Sequence, residues 1–190
     1  MSKSVLLHNL INLRIRIIGP KESGKTSFVI RLDQNKFDSF YIPSISLEKT
    51  TVKCVLNGKL QRIMFTVEDI VDFDIHSLAK KEFVFIFFDE STPSSFNEVK
   101  TFIEKSDILN NFKHKKDIFI VGNKNDIKSN NLDFSTIEQY CQMNNLNLAE
   151  ISVKTNIGIP KLMQLLDNCL LTKEWYKTFV YSSHQKFALF

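Results

Sequence analysis

Residues 19–26 read Gly19-Pro20-Lys21-Glu22-Ser23-Gly24-Lys25-Thr26. This string fits the pattern G-x-x-x-x-G-K-[ST], in which a loop wraps an anionic phosphate group. Gly19 and Gly24 let the backbone approach closely. Amides from Glu22 to Thr26, with Ser27 next in the chain, can turn inward at a helix N-terminus, where the dipole favours negative charge. Lys25 is the residue that would reach the β- and γ-phosphates. The Thr26 hydroxyl would ligate Mg²⁺. By itself the loop leaves both the base and the reaction open.

A second constellation addresses the base. Asn123-Lys124-Asn125-Asp126 follows an apolar run at its carboxyl end. The Asp126 carboxylate can accept from N1–H and from the 2-amino group of guanine. Adenine offers neither donor, so a site built for that pair penalises it. The Lys124 stem can lie along the base while Asn123 braces the neighbouring loops. These four residues match the N-K-x-D signature of the GTPase family. Ser152-Val153-Lys154 resembles the family's S-A-K loop, whose backbone amide donates to guanine O6. The motifs begin 29 residues apart (152 − 123), a spacing also found in Ras. Phe37 falls at the aromatic position that packs against the guanine edge. With the phosphate loop in order, the chain resembles a small GTPase of the Ras/Rab kind from about residue 12 to residue 171.

The first switch of that family also has a counterpart. Tyr41-Ile42-Pro43-Ser44-Ile45 resembles Y-x-P-T-I, and Ser44 lies 18 residues after Thr26 (44 − 26), the family spacing. Serine keeps the hydroxyl, so the resemblance implies a second Mg²⁺ ligand and an amide for the γ-phosphate. In the family that contact orders the loop in the GTP state.

The second switch departs. The family carries D-x-x-G-Q after its third strand, whereas this chain reads Thr66-Val67-Glu68-Asp69-Ile70. Counting from Ser44 puts Thr66 at the Asp position, Asp69 at Gly and Ile70 at Gln. Counting from Asn57-Gly58 puts Val67 at Asp and Ile70 at Gly. Neither register keeps the motif. The outer carboxylate for Mg²⁺ is lost unless Glu68 or Asp69 substitutes for it. In the first register an isoleucine stands where a glutamine orients the attacking water. Glu68, Asp69, Asp72 and Asp74 make this segment acidic, and facing water is the commoner fate of such residues. Lys21 and Glu22 stand where Ras has two glycines, which crowds the approach of an activating arginine. These departures imply slow or absent hydrolysis.

The elements that must position these motifs alternate along the chain. Leu13–Ile18 reads as a strand and Lys25–Leu32 as a helix. Leu47–Leu56 and Leu60–Val67 read as strands joined at Asn57-Gly58, a strong hairpin signal. The run Phe83–Phe88 is continuously apolar, as a strand covered on both faces requires. Ser95–Phe112 is expected to be one helix. Asp117–Gly122 reads as a buried strand, Asp133–Met143 as a helix, Leu146–Ile151 as a strand and Gly158–Leu171 as a last helix. The order βαββαβαβαβα implies an α/β fold with a mostly parallel sheet and one hairpin-coupled strand, and the resemblance implies that this is a P-loop NTPase small G-domain, six-stranded and flanked by helices. Ligands in such sheets sit at the carboxyl ends of the strands, where the motifs fall. The domain is expected to span 12–171. Residues 172–190 form a C-terminal extension in which Trp175 and Phe179 lie one helical turn apart.

Composition narrows the class. The chain has 190 residues, 43% hydrophobic, with a net charge of +4. That suits one soluble domain and does not argue for nucleic acid. Lys113-His114-Lys115-Lys116 is the densest basic patch and reads as a solvated loop. No metal-ligand spacing joins Cys54, Cys141 and Cys169 to histidines, so buried, reduced thiols in a cytoplasmic protein are expected. The N-terminus has no signal-peptide pattern, and the last residues, Phe187-Ala188-Leu189-Phe190, lack the cysteine used for prenylation. Any membrane location would therefore be peripheral, through a partner.

The expected ligands are GTP or GDP with Mg²⁺, and the expected partners are unidentified effector or scaffold proteins. Two rivals stand beside a binding module with impaired hydrolysis. One is a working GTPase with a non-standard second switch. The other is a nucleotide-free scaffold. An adenine-specific enzyme comes last.

Overall fold

Strand β1, Asn12–Gly19, explains the rest of the sheet. Leu13, Ile15 and Ile17 point to one buried face and Ile18 to the other, while Arg14 stays exposed. A computed structural model of the chain describes residues 12–37, 49–56, 58–78, 81–112 and 115–177. Ser44 and the rest of the Tyr41–Ile45 motif, Asn57, Lys113-His114, Phe179 and the final Phe187–Phe190 lie outside the described residues.

β1 is followed by α1, Lys25–Gln34; β2, Thr50–Leu56; β3, Lys59–Asp69; and β4, Glu82–Asp89. Then come α2, Pro93–Lys105; α3, Ile108–Asn111; β5, Ile118–Asn123; α4, Phe134–Met143; β6, Asn147–Glu150; and α5, Ile159–Leu171. The strands form one six-stranded sheet in the order β2-β3-β1-β4-β5-β6. β2 and β3 are antiparallel, and every other pair is parallel. The α/β class and the mostly parallel sheet flanked by helices are as expected.

β4 shows why the sheet is central. Phe83, Phe85 and Phe87 face one apolar cluster with α1 and α5, while Val84, Ile86 and Phe88 face another with α2 and α4. Each buried aromatic or branched side chain contributes about 2 kcal/mol. Burial on both faces also leaves polar chemistry to the strand ends.

Two expectations need correction. The helix expected between β3 and β4 is absent among the described residues, where only a single 3₁₀ turn, Ile75–Ser77, occurs. Polar contacts hold this segment: the Asp74 carboxylate accepts from the His76 amide (2.9 Å), and the Ser77 hydroxyl donates to the Asp74 carbonyl (2.6 Å). The single helix expected over Ser95–Phe112 is two. α2 stops at Lys105, and Asp107 takes a left-handed conformation (φ 56°) before α3. An aspartate tolerates that conformation because its side chain bonds locally, here accepting from Asn110 Nδ2 at 2.6 Å. The apolar periodicity continued across the break and hid it.

All three cysteines are free. Cys141 is buried as expected, but Cys54 and Cys169 are only partly so. Burial pushes the Cys141 thiol up to about 12 and Cys54 to about 11, which keeps both protonated. Among the described residues no helix is long and apolar enough to cross a membrane, and no cluster of three metal-ligating side chains occurs.

Candidate nucleotide site

The phosphate loop leaves β1 at Gly19 and enters α1 at Lys25. Gly24 caps the helix at φ 93°, a left-handed value that favours glycine. The walls are close. A Cβ at Gly19 would lie 2.4 Å from the Phe87 carbonyl, and one at Gly24 would lie 2.1 Å from Asn123 Nδ2. Glu22 takes φ 62° with a side chain exposed to water, a strained choice for a non-glycine residue.

Lys25 is buried at the centre of this loop. Its ammonium donates to the Gly19 and Pro20 carbonyls, each at 2.8 Å, and to Asp69 Oδ1 at 2.7 Å. Burial lowers its pKa, and the Asp69 carboxylate opposes that shift. Asp69 therefore occupies the lysine that a terminal phosphate would claim. The end of β3 is held there by register, with Gly19 opposite Asp69, and the Ile70 amide donates to the Gly19 carbonyl at 3.1 Å.

The acidic segment does not simply face water. Glu68 pairs with Arg16, Oε1 to Nη1 at 2.7 Å. Arg16 is almost buried and also donates to both Glu82 oxygens (3.1 and 3.4 Å), to the Ser77 hydroxyl (2.9 Å) and to the Ser77 carbonyl (3.3 Å). Of the two candidate replacement carboxylates, Asp69 alone lies at the phosphate loop. Glu68 is committed to β1.

Asn123 joins the phosphate and base ends. Its Nδ2 donates to the Ser23 carbonyl (2.9 Å), and its Oδ1 accepts from the Val153 amide (3.0 Å). The Val153 amide is thus engaged within the protein. Ser23 is itself tied, its hydroxyl donating to the Pro20 carbonyl at 2.9 Å. Asp126 Oδ1 accepts from the Ser152 hydroxyl at 2.7 Å, and Lys154 Nζ lies 3.9 Å from Oδ2. Those contacts orient the carboxylate while leaving lone pairs for two base donors. Lys124, at φ 67°, pairs with Asp89 at 2.6 Å.

Phe37, 38% exposed, packs against Arg31, whose guanidinium carbon lies 5.9 Å from the ring centre. Arg31 escaped sequence reasoning. It ties α1 to the loop after β6, with Nε donating to the Val153 carbonyl and Nη2 to the Lys154 carbonyl, each at 2.9 Å. Nothing local marks such a residue, since its partners are over 120 positions away. Asp89 and Glu90 were also missed. Their signal was available: two acids ending an apolar strand at the edge where ligands bind.

The residues fit a nucleotide in kind. The loop offers a cationic ammonium, an inward-turned helix start and walls that admit only hydrogen at two positions. Mg²⁺ usually takes one or two protein oxygens and fills the rest with phosphate and water. The half-buried Thr26, next to Lys25, can supply one such oxygen. Held there, Mg²⁺ would supply positive charge to offset the phosphates.

Comparison with known proteins agrees. Ras-related protein RabV of Dictyostelium discoideum is 32% identical over 122 residues, covering 62% of this chain and 52% of RabV. The match therefore spans about half of that relative's length. RabC of the same organism is 24% identical over 161 residues, 80% of this chain and 81% of RabC. Human Rab-21 is 27% identical over 166 residues, 83% of this chain and 71% of its own. The Ras family model matches residues 14–171, from within β1 to the end of α5, and so the chain belongs to the Ras family.

Proposed function

We propose that this Ras-family GTP-binding protein holds guanine nucleotide with weak or absent intrinsic hydrolysis and works as a protein-interaction module. Asp126, Ser152 and Lys154 set the base, and Val153, its amide held by Asn123 Oδ1, anchors their loop instead of donating to guanine O6. Gly19, Glu22 to Ser27 and Lys25 above all hold the phosphates. Thr26 and Ser44 ligate Mg²⁺.

The observation that carries the reading is the Asp69–Lys25 pair at 2.7 Å. A carboxylate in that place competes with the terminal phosphate for the lysine, and its charge opposes the approach of phosphate oxygens. Ile70, next in the chain, cannot hydrogen-bond a water through its side chain. The Arg16 contacts to Glu68, Ser77 and Glu82 favour a second switch that stays seated on β1 whichever nucleotide is bound. An output through protein contact fits the exposed apolar Val71 beside Ile70, Phe73 and Phe102 in the groove between this segment and α2. A role in vesicle traffic follows from the Rab relatives by analogy alone.

Nucleotide released by denaturing the purified protein, with magnesium retained, identifies what it carries. GTP as the main species would support guanine binding with stalled hydrolysis. GDP would show that the base site works and leave turnover to be measured. A chain with no nucleotide, and no rise in melting temperature on adding GTP or GDP, would favour the scaffold.

A further inference from the structure

β4 ends in two acids, and each faces a lysine of the base loop. Asp89 Oδ2 accepts from Lys124 Nζ at 2.6 Å, and the Glu90 carboxylate lies 3.5 Å from Lys128 Nζ. The Glu90 backbone grips the same loop at both ends. Its amide donates to the Asn123 carbonyl (2.8 Å), and its carbonyl accepts from the Ser129 amide (2.9 Å). Asp126 sits between those two clasps. Any movement of Glu90 is thereby passed to the loop that reads the base.

The Glu90 side chain is fully buried, and neither of its oxygens meets a donor in good hydrogen-bond geometry, the 3.5 Å ion pair with Lys128 being loose. Oε1 is pressed on β5, where a Cβ at Gly122 would come within 2.1 Å of it. Two charged groups face the carboxylate: Lys128 from the loop after β5 and Glu150 from the end of β6. Lys128 is shared, and it lies nearer to Glu150 (2.5 Å) than to Glu90, with its ammonium 3.8 Å from the centre of the Phe134 ring. A buried carboxylate that shares one cation with a second carboxylate is poorly compensated.

We propose that Glu90 is a positioning residue of the guanine site: uncharged, it seats the 123–129 loop on β4, and ionised, it loosens that loop and speeds nucleotide release. This rests on the reading of that loop as the base site. Burial first, and Glu150 second, push the Glu90 carboxyl up to about 7, against the pull of Lys128. When the loop opens to water the carboxyl returns toward its ordinary value of 4.5. Opening therefore releases a proton and becomes easier as pH rises through that interval, levelling off above it.

The test follows release of a fluorescent GDP analogue from the full chain with Mg²⁺, chased by excess GDP. Release should speed up roughly tenfold from about pH 5.5 to about pH 8. Glu90→Gln should remove that rise and release slowly throughout. Taking the ratio of the two proteins at each pH cancels titration of the phosphates. Lys128→Gln should move the midpoint of the rise to higher pH, because the compensating cation is gone. Matching profiles for Glu90→Gln and the unaltered chain would overturn the proposal. So would a variant that releases faster by the same factor at every pH, the mark of a merely structural role. Should Glu90→Gln fail to fold, an unmoved midpoint in Lys128→Gln overturns it instead. An unaltered chain that binds no nucleotide at any pH would overturn the base-site reading and this proposal with it. Binding with a flat profile would overturn this proposal alone.

Discussion

At the scale of single residues, the site is governed by which partner each charge has. Lys25 has three, and two of them are loop carbonyls that hold the ammonium in place. The third, Asp69, is the one a phosphate would displace. Asp69→Ala should therefore raise GTP affinity roughly tenfold, about 1.4 kcal/mol, and raise GDP affinity less. Titration calorimetry with both nucleotides checks this, and an equal or reduced GTP affinity would count against the competition. Glu22 offers a separate test. A non-glycine residue at φ 62° carries strain, so Glu22→Gly should stabilise the fold by about 1 kcal/mol in urea unfolding. The 19–26 and 123–126 motifs could be read in the sequence because each is local: consecutive residues in one loop. Arg31 and Arg16 were not, because their roles exist only once distant strands and loops meet. The acidic run from the end of β3 onward was misread in part for the same reason: Asp72 and Asp74 are exposed as expected, whereas Glu68 and Asp69 are drawn inward. Its formal charge was visible, but Arg16 and Lys25, the groups that claim Glu68 and Asp69, lie more than 40 positions away.

At the scale of elements, β3 and the segment that follows it decide whether the protein can switch. Strand β3 runs to Asp69, farther than the expected end at Val67, because it pairs with β1 along the whole of that strand. The hairpin, the helix starts and the apolar strands were readable from periodicity and turn chemistry. The helix break at Asp107 was not, since Ile103 and Ile108 keep the apolar face continuous across it. Residues 70–78 are fastened to the sheet through Arg16 and to α2 through the edge contact of Phe73 with Phe102, ring centres 5.5 Å apart. Arg16→Leu should cost about 3 kcal/mol, because the buried Glu82 carboxylate would lose both of its guanidinium bonds. Hydrogen exchange gives the functional consequence. Peptides over 70–78 should exchange alike in the GDP and GTP-analogue forms of the unaltered chain, and faster in the variant. A strong nucleotide dependence in the unaltered chain would contradict a seated second switch.

At the scale of the whole molecule, one sheet buries two apolar faces and leaves its carboxyl edge for binding. The order of strands places the phosphate loop after β1, the base loop after β5 and the third loop after β6 along that edge. Glu90 is a fully buried acid inside this apolar body, and it ties stability to pH. Its pKa in the fold, about 7, exceeds its ordinary value of 4.5, so its contribution is fully present below 4.5 and is lost as pH rises through 7. Relative to Glu90→Gln, the unaltered chain should lose up to about 3 kcal/mol of stability over that window, read by urea unfolding at a series of pH values. A constant difference between the two proteins would show that Glu90 does not titrate there.

We propose that this Ras-family chain binds GTP and hardly hydrolyses it. Single-turnover release of phosphate from GTP-loaded protein with Mg²⁺ tests it most directly, with Asp126→Asn as the control for base recognition and Lys25→Ala for the phosphate loop. GTP binding that Asp126→Asn abolishes is expected, with phosphate release no faster than from GTP in buffer. Release at roughly 10⁻⁴ s⁻¹ or faster that disappears with Lys25→Ala would contradict it and make the protein a working GTPase.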